Sequence, residues 1–311
     1  MKRVLFLLAM CLLTCQLQTI NPSVAHAADS DGWESIFDGK TLKGWDGNPK
    51  HWSVKDGAIT GITTKETPTK GNTFIIWKGG EPGDFELKVT YRIFAGNSGI
   101  QYRSFKLPGK NDGWRIGGYQ ADFESGTRYN GICYGERFRG ILSHRGKKSV
   151  IDAKGKSKAV ETFAEDAAVG KAIKPKGEWN TYHITAKGFH FVQKINGVKT
   201  TEFNDDHEGV RRDKGLIALQ LHAGPAMKVQ FKDIMLKRIK KSARINLNQD
   251  GAIQLNGQAI TLKDLEKQLP AFGNITLKAD TKTPYKYVAA VMNVSKEANV
   301  KTVNLVATIK E

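Results

Sequence analysis

The sequence predicts a mainly β protein: a β-sandwich of jelly-roll type followed by a small α+β domain. Three observations carry this reading. Short alternating runs broken by glycine and asparagine turns recur from Trp33 to about Ile239, the spacing expected of a sandwich or jelly roll. Phe85, Leu87, Val89, Tyr91 and Ile93 alternate with polar residues, so that strand has one buried face. After a basic stretch at 238–242, helical stripes begin to alternate with strands, which marks a second unit.

Taken in order, residues 1–27 read as a secretory signal. Lys2 and Arg3 form its charged start, an apolar run follows, and Ala25-His26-Ala27 closes it. That run is too short to cross a bilayer, and no other run approaches about 20 apolar residues, so no membrane span is expected. The mature chain would begin at Ala28 and be periplasmic or secreted. Cleavage would remove Cys11 and Cys15 and leave Cys133 alone, so no internal disulfide is expected. Between Ile132 and Tyr134, Cys133 reads as a small buried hydrophobe.

Trp52-Ser53-Val54, Ala58-Ile59-Thr60 and Val229-Gln230-Phe231 are strand signals, and Asn196-Gly197 is a type I′ hairpin turn. One helical insertion is expected near residues 160–169. In the second unit, Ile245-Asn246-Leu247, Ala252-Ile253-Gln254-Leu255 and Gln258-Ala259-Ile260 read as strands. Thr261 with Asp264 then caps a helix whose stripe is Leu262, Leu265 and Leu269, stopped by Pro270. Ile275-Thr276-Leu277-Lys278 is a strand, and Pro284 opens a second helix. Val303-Asn304-Leu305-Val306-Ala307 is the last strand. The expected organisation is signal 1–27, sandwich 28–240 and α+β domain 241–311.

Lysine and arginine number 48 against 31 acids, a formal charge of +17. We read this as a lysine-rich solvated surface. Export and the lack of any nucleic-acid motif argue against nucleic acid as a partner. No cysteine or histidine spacing resembles a zinc site, and Asp205-Asp206-His207-Glu208 reads as a solvated loop. Three strands each place two hydrogen-bonding side chains on one face: Gln101 with Arg103, Gln120 with Asp122, and Gln220 with His222. Together they predict a polar concave surface on which a sugar would lie.

Several motifs then point to a family. They are Ile36-Phe37-Asp38-Gly39-Lys40-Thr41-Leu42-Lys43-Gly44-Trp45, Trp52-Ser53-Val54-Lys55-Asp56-Gly57, Gly83-Asp84-Phe85-Glu86-Leu87, Asn97-Ser98-Gly99-Ile100, Glu178-Trp179-Asn180-Thr181-Tyr182, Asn196-Gly197 and Phe231-Lys232-Asp233-Ile234. In this order they resemble the 3-keto-disaccharide hydrolase family, also described as 3-keto-glucoside lyase and hydratase domains. The resemblance implies a concanavalin-like sandwich and an enzyme cleaving glycosides oxidised to a ketone at carbon 3. Such a ketone acidifies the carbon 2 proton, so a base can start an elimination that water addition completes.

Many members of the family carry glutamate where this chain has Gly118, and Asp122, Glu124 or Glu136 could replace it. The expected catalytic residues are Asp122 or His222 as base, Arg103 with Gln101 at the enolate, and Glu136 as acid. Asn97, Gln101, Tyr119, Gln120, Trp114 and Gln220 would hold the sugar, and Trp179 reads as core. The sequence names no certain cofactor, and a divalent metal remains open because it could chelate the ketone and enolate oxygens.

The second unit resembles the periplasmic domain of ExbD/TolR proteins through Asp250-Gly251-Ala252-Ile253, Leu277-Lys278-Ala279-Asp280 and Tyr287-Val288-Ala289-Ala290-Val291-Met292. It implies a tendency to pair as a homodimer, without the motor helix of those proteins. The alternatives are a non-catalytic carbohydrate-binding protein or an envelope-associated structural protein. Convergence of a base, an acid and an arginine on one pocket would separate the enzyme from both.

Overall fold

A computed structural model describes residues 32–109 and 113–308; the expected signal lies outside them. The chain begins with β1 (Glu34–Ser35), β2 (Trp45–Asp46), β3 (Trp52–Lys55), β4 (Ala58–Thr63), β5 (Thr73–Trp77), β6 (Phe85–Ala95), β7 (Asn97–Lys106) and β8 (Ile116–Glu124). It continues through β9 (Cys133–Glu136), β10 (Gly140–Ser143), β11 (Lys147–Ile151), β12 (Ser157–Thr162), helix α1 (Asp166–Gly170), β13 (Asn180–Lys187), β14 (His190–Ile195), β15 (Val198–Asp205), β16 (Leu216–Leu221) and β17 (Met227–Arg238).

Among the described residues these strands form two sheets. One has ten strands in the order β12-β11-β15-β14-β13-β6-β17-β4-β3, with β1 on β17; the other has seven in the order β10-β9-β8-β7-β16-β5-β2. Their inner faces share one apolar cluster, from Phe85, Tyr182, Phe191 and Phe231 on the first to Ile75, Tyr102, Tyr119 and Leu219 on the second. This is a β-sandwich, held by the alternation visible in β6 and its neighbours. The expected helix at 160–169 is shorter than predicted. Residues up to Thr162 pair as β12, and only α1 is helical, because β11 offers β12 a ladder that outweighs local helix preference.

The remainder is β18 (Lys241–Leu247), β19 (Ile253–Leu255), β20 (Gln258–Ile260), α2 (Leu262–Gln268), β21 (Phe272–Asp280), α3 (Tyr285–Glu297) and β22 (Thr302–Thr308). Its five strands form a separate sheet, and its apolar cluster, centred on Ile245, Leu265, Leu277 and Val291, is its own. Thr261 caps α2 by accepting from the Asp264 amide, as the sequence predicts.

Strand parity fails at one place that matters. Arg103 has φ of +44°, and both ladders of β7 shift register around it. This bulge turns its side chain away from the face that Gln101 occupies.

Candidate functional site

The outer face of the seven-stranded sheet carries a cavity of about 600 Å³. On β8, Tyr119, Ala121 and Phe123 point into the core, so Gln120 and Asp122 point outward into the cavity. Asn97, Gln220 and His222 join them from β7 and the end of β16. Gly99 stands directly opposite Asp122. A Cβ there would lie 2.4 Å from Gln120 Cγ, so its bare backbone is what lets the Gln120 amide cross the floor.

Asp122 is the most perturbed acid in this cavity. It is 6% exposed. Burial pushes its carboxyl up to about 7, against hydrogen bonds from Gln120 and Asn97 that favour the charged form. Gln120 Nε2 donates to Asp122 Oδ1 at 3.0 Å and to Gln220 Oε1 at 3.5 Å, while Gln120 Oε1 accepts from Gln101 Nε2 at 2.6 Å. Gln220 Nε2 is buried and has no hydrogen-bond partner among the described residues.

The structure also accounts for Gly118. Its φ is +141°, and a Cβ there would sit 2.6 Å from Ser104 Oγ and 2.7 Å from Ser104 Cα. No glutamate fits at that position. Glu136 is its direct cross-strand neighbour, so it projects from the same face as Gln120 and Asp122. Asn72 Nδ2 donates to Glu136 Oε1 at 3.1 Å, and Asn72 Oδ1 accepts from the Ala223 amide at 3.0 Å. His222 Nδ1 hydrogen-bonds to the Ala223 carbonyl, so it carries the proton and leaves Nε2 as the ring's acceptor.

Of the expected site residues, Asp122, Glu136, His222, Asn97, Gln120 and Gln220 line this cavity. Four others do not. Arg103 is buried, donating to the carbonyls of Gly83, Gly188 and Arg212 and to Asp84 Oδ1 at 2.9 Å. It cannot reach an enolate in the cavity, because the bulge directs it to the sheet's inner side. Gln101 spends its amide on Gln120 and its carbonyl on Ser104, so it supports the floor from one layer away. Tyr119 lies in the core, stacked on Tyr102 and donating to Asp205. Trp114 borders a different hollow and donates to Asp46 at 2.8 Å.

Glu124 accepts the amides of Arg128 and Tyr129 and so shapes a loop instead of acting as an acid. Asp205, expected in a solvated loop, is fully buried against Arg139 and Tyr119. Trp179 is half-buried on the outer face of the ten-stranded sheet, under Arg92 and Lys232, and is not part of the core. Cys133 is buried, and burial pushes its thiol up to about 12, which leaves it inert.

Tyr129, Tyr134, Arg137 and Asn72 also line the cavity and were not singled out from the sequence. Burial, then the charges of Glu136 and Asp122, raise the Tyr134 hydroxyl above its ordinary value, so this phenol lies within electrostatic reach of both acids. The run Tyr134-Gly135-Glu136-Arg137 was a legible signal; Asn72, 64 residues from Glu136, was not. Among the described residues no three His, Cys, Asp or Glu side chains gather as a metal site would require.

A β-sandwich with two differently held acids in a polar cavity on one sheet is the class that fold and site define. The chain belongs to the 3-keto-alpha-glucoside-1,2-lyase-like domain family, which residues 32–237 match. Residues 231–310 match the biopolymer transport protein ExbD/TolR family. A relative from Bacteroides thetaiotaomicron, described as a 3-keto-disaccharide hydrolase, is 33% identical over 99 residues, which is 29% of this chain. The match spans 33% of that relative's length.

Among solved structures, a candidate glycosyl hydrolase from Parabacteroides distasonis is 20% identical, with 67% of this chain and 94% of that one covered and a TM-score of 0.44. The carbohydrate-binding module CBM66 from Bacillus subtilis is 13% identical, with 62% and 95% covered and a TM-score of 0.39. Likeness at this level concerns fold class alone. No described helix is long and apolar enough to cross a membrane.

Proposed function

We propose that the cavity cleaves glycosides bearing a ketone at sugar carbon 3. The observation that carries this reading is Asp122, a buried carboxyl pushed up to about 7 on the floor of the cavity. A base poised near neutrality is suited to removing a carbon-bound proton. Asp122 takes the carbon 2 proton, and its electron pair passes into the enolate whose oxygen is the former ketone. Gln220 Nε2, the unpartnered buried donor, and Asn97 are placed to stabilise that oxygen. The enolate collapses, the carbon 1–oxygen bond breaks, and the leaving oxygen takes a proton from the Glu136 carboxyl, whose carboxylate then takes one from the attacking water. Water, directed by Glu136, adds to carbon 1, and the proton returns to carbon 2. Tyr129 and Tyr134 supply ring faces in place of Tyr119 and Trp114. Residues 1–27 would direct export, and N-terminal sequencing of exported protein should then read from Ala28.

The test is turnover of a 3-keto-glucoside by purified protein, with and without added divalent cation. Asp122→Asn should lower turnover by ~10²-fold or more, as loss of a general base does. The unoxidised glycoside should be inert. Protein that binds the keto sugar yet never releases product would replace the enzyme with a binding module.

A second reading concerns the C-terminal unit. Strand β22 is the last in its sheet, and Leu305 and Val306 are exposed at 56% and 38%. An edge of this kind is a template for another strand. We infer that two copies pair along it. Sedimentation of the full chain should show a dimer that Leu305→Lys dissociates; an unchanged mass would remove this reading.

A further inference from the structure

The outer face of the ten-stranded sheet, on the far side of the sandwich from the cavity, is strongly basic. Lys88 on β6 pairs directly with His183 on β13, His183 with Lys194 on β14, and Lys194 with Lys199 on β15. Directly opposed like charges destabilise a sheet, yet this register sets Lys194 against Lys199 and leaves only His183, whose burial favours the neutral ring, between Lys194 and Lys88. Arg92, Lys228, Lys232 and Lys237 extend the face over β6 and β17. Its acids are few. Glu86 is held by His183 at 2.8 Å, Glu202 by Lys199 at 2.8 Å and Lys148 at 2.9 Å, Asp233 lies 3.7 Å from Lys232, and Glu161 on β12 stands opposite Lys148. Among the described residues, Lys88, Arg92, Lys194, Lys228 and Lys237 make no ion pair.

Three half-buried aromatic rings lie beneath these cations. Lys88 Nζ is 4.3 Å from the Trp33 ring centroid, with Lys237 at 5.8 Å. Arg92 is 4.3 Å and Lys232 4.8 Å from Trp179. Lys228 is 4.7 Å from Phe94. Stacking on the rings holds the long side chains on the sheet and limits their rotamer freedom. What the face presents outward is an excess of cationic donors, with the hydroxyls of Thr90, Thr181 and Thr185 and the paired Glu86 and Glu202 as acceptors. Neutral sugars would leave that excess of positive charge unmatched. Nucleic-acid bases need open ring faces on which to stack, and here the cations cover them. A linear polymer bearing carboxylates at regular intervals matches a rigid face whose charges follow the ~4.8 Å strand spacing.

We propose that this face binds a carboxylated polysaccharide. The site is separate from the cavity and does not depend on its chemistry. It would hold the protein on an acidic glycan while the opposite sheet meets substrate.

Binding of the full chain to polygalacturonate, measured by calorimetry, tests this. Affinity should fall steeply between about 0.05 M and about 0.3 M salt, because the contacts are screened charges. The triple variant K88Q/K194Q/K232Q should weaken binding by ~10-fold or more, since three charges facing the polymer are lost. K263Q/K286Q/K296Q, with the same change in charge on exposed residues of the C-terminal unit, should remain within about twofold of wild type. Should the first triple fail to fold, K88Q and K194Q alone read the same affinity. Equal losses from both triples, equal binding of a neutral glucan, or tighter binding of single-stranded DNA would each overturn the proposal.

Discussion

On the outer face of the seven-stranded sheet, Gln101, Gln120, Gln220 and Asp122 are all buried. On the outer face of the ten-stranded sheet, Lys88, Arg92, Lys194 and Lys232 stay half-exposed. Both faces come from the same alternation of polar and apolar residues, and both cover the same core. The difference lies in what stands over each sheet. Strands β9 and β10, with the turn after β16, wall the first face, so its polar groups must satisfy one another or remain unpaired. Water satisfies the second face, so its side chains can be alike in charge at little cost. Enclosure thus couples the polar groups of one face to one another, and openness leaves those of the other to solvent.

Arg103 belongs to neither face, and its loss should have the largest effect on stability. It is a buried cation whose guanidinium satisfies three carbonyls and Asp84. Arg103→Ala should leave those acceptors stranded and cost ~3–5 kcal/mol. In a chain of this size that is a drop of roughly 10 °C in Tm, at 2–4 °C per kcal/mol. Differential scanning calorimetry measures it. A variant that melts like wild type but turns over poorly would return Arg103 to the site.

Asp122 sharpens the comparison next, through pH. Its folded carboxyl keeps a proton up to about 7, whereas an unfolded one releases it near the ordinary 3.8. Between those values the folded state binds more protons, so stability contributed by this group falls as pH rises across that window and is level above it. Asp122→Asn should remove that fall and be the more stable protein above about pH 7, by at most ~4 kcal/mol at about 1.4 kcal/mol per pKa unit. Denaturant melts at several pH values give the curve. Parallel curves for the two proteins would show that Asp122 is already solvated.

How far the sequence could be read follows from where each signal resides. The alternation in β6 and the Asn196-Gly197 turn are local, so the sandwich was legible. So was the pairing of Gln120 with Asp122, because both lie on one unbroken strand. Arg103 was misplaced because a single left-handed residue reverses parity, and nothing in Gln101-Tyr102-Arg103-Ser104 announces it. Tyr119 was misassigned although its own parity, opposite to Gln120, already put it in the core. Asn72 was invisible because its role exists only once β5 meets β9 and the turn after β16. Glu136 was named, but its standing opposite Gly118 needed the register.

The smallest expected effect tests whether the basic face is kept at the expense of stability. Lys194 stands between His183 and Lys199, with Lys88 one strand further on. Replacing it with threonine removes a like-charge opposition and inserts a good strand former. Lys194→Thr should therefore stabilise the chain by about 0.2–1 kcal/mol at low ionic strength. Much of that gain should vanish at about 1 M salt, where the Debye length is only about 3 Å. Lys199 already leans on Glu202, which keeps the expected gain near the lower end. The measurement is a pair of denaturant melts at the two salt concentrations. Destabilisation at both would mean that the Lys194 stem packs usefully across the sheet and that its charge is incidental. A gain confined to low salt would mean that this face carries unfavourable charge which the fold alone does not require.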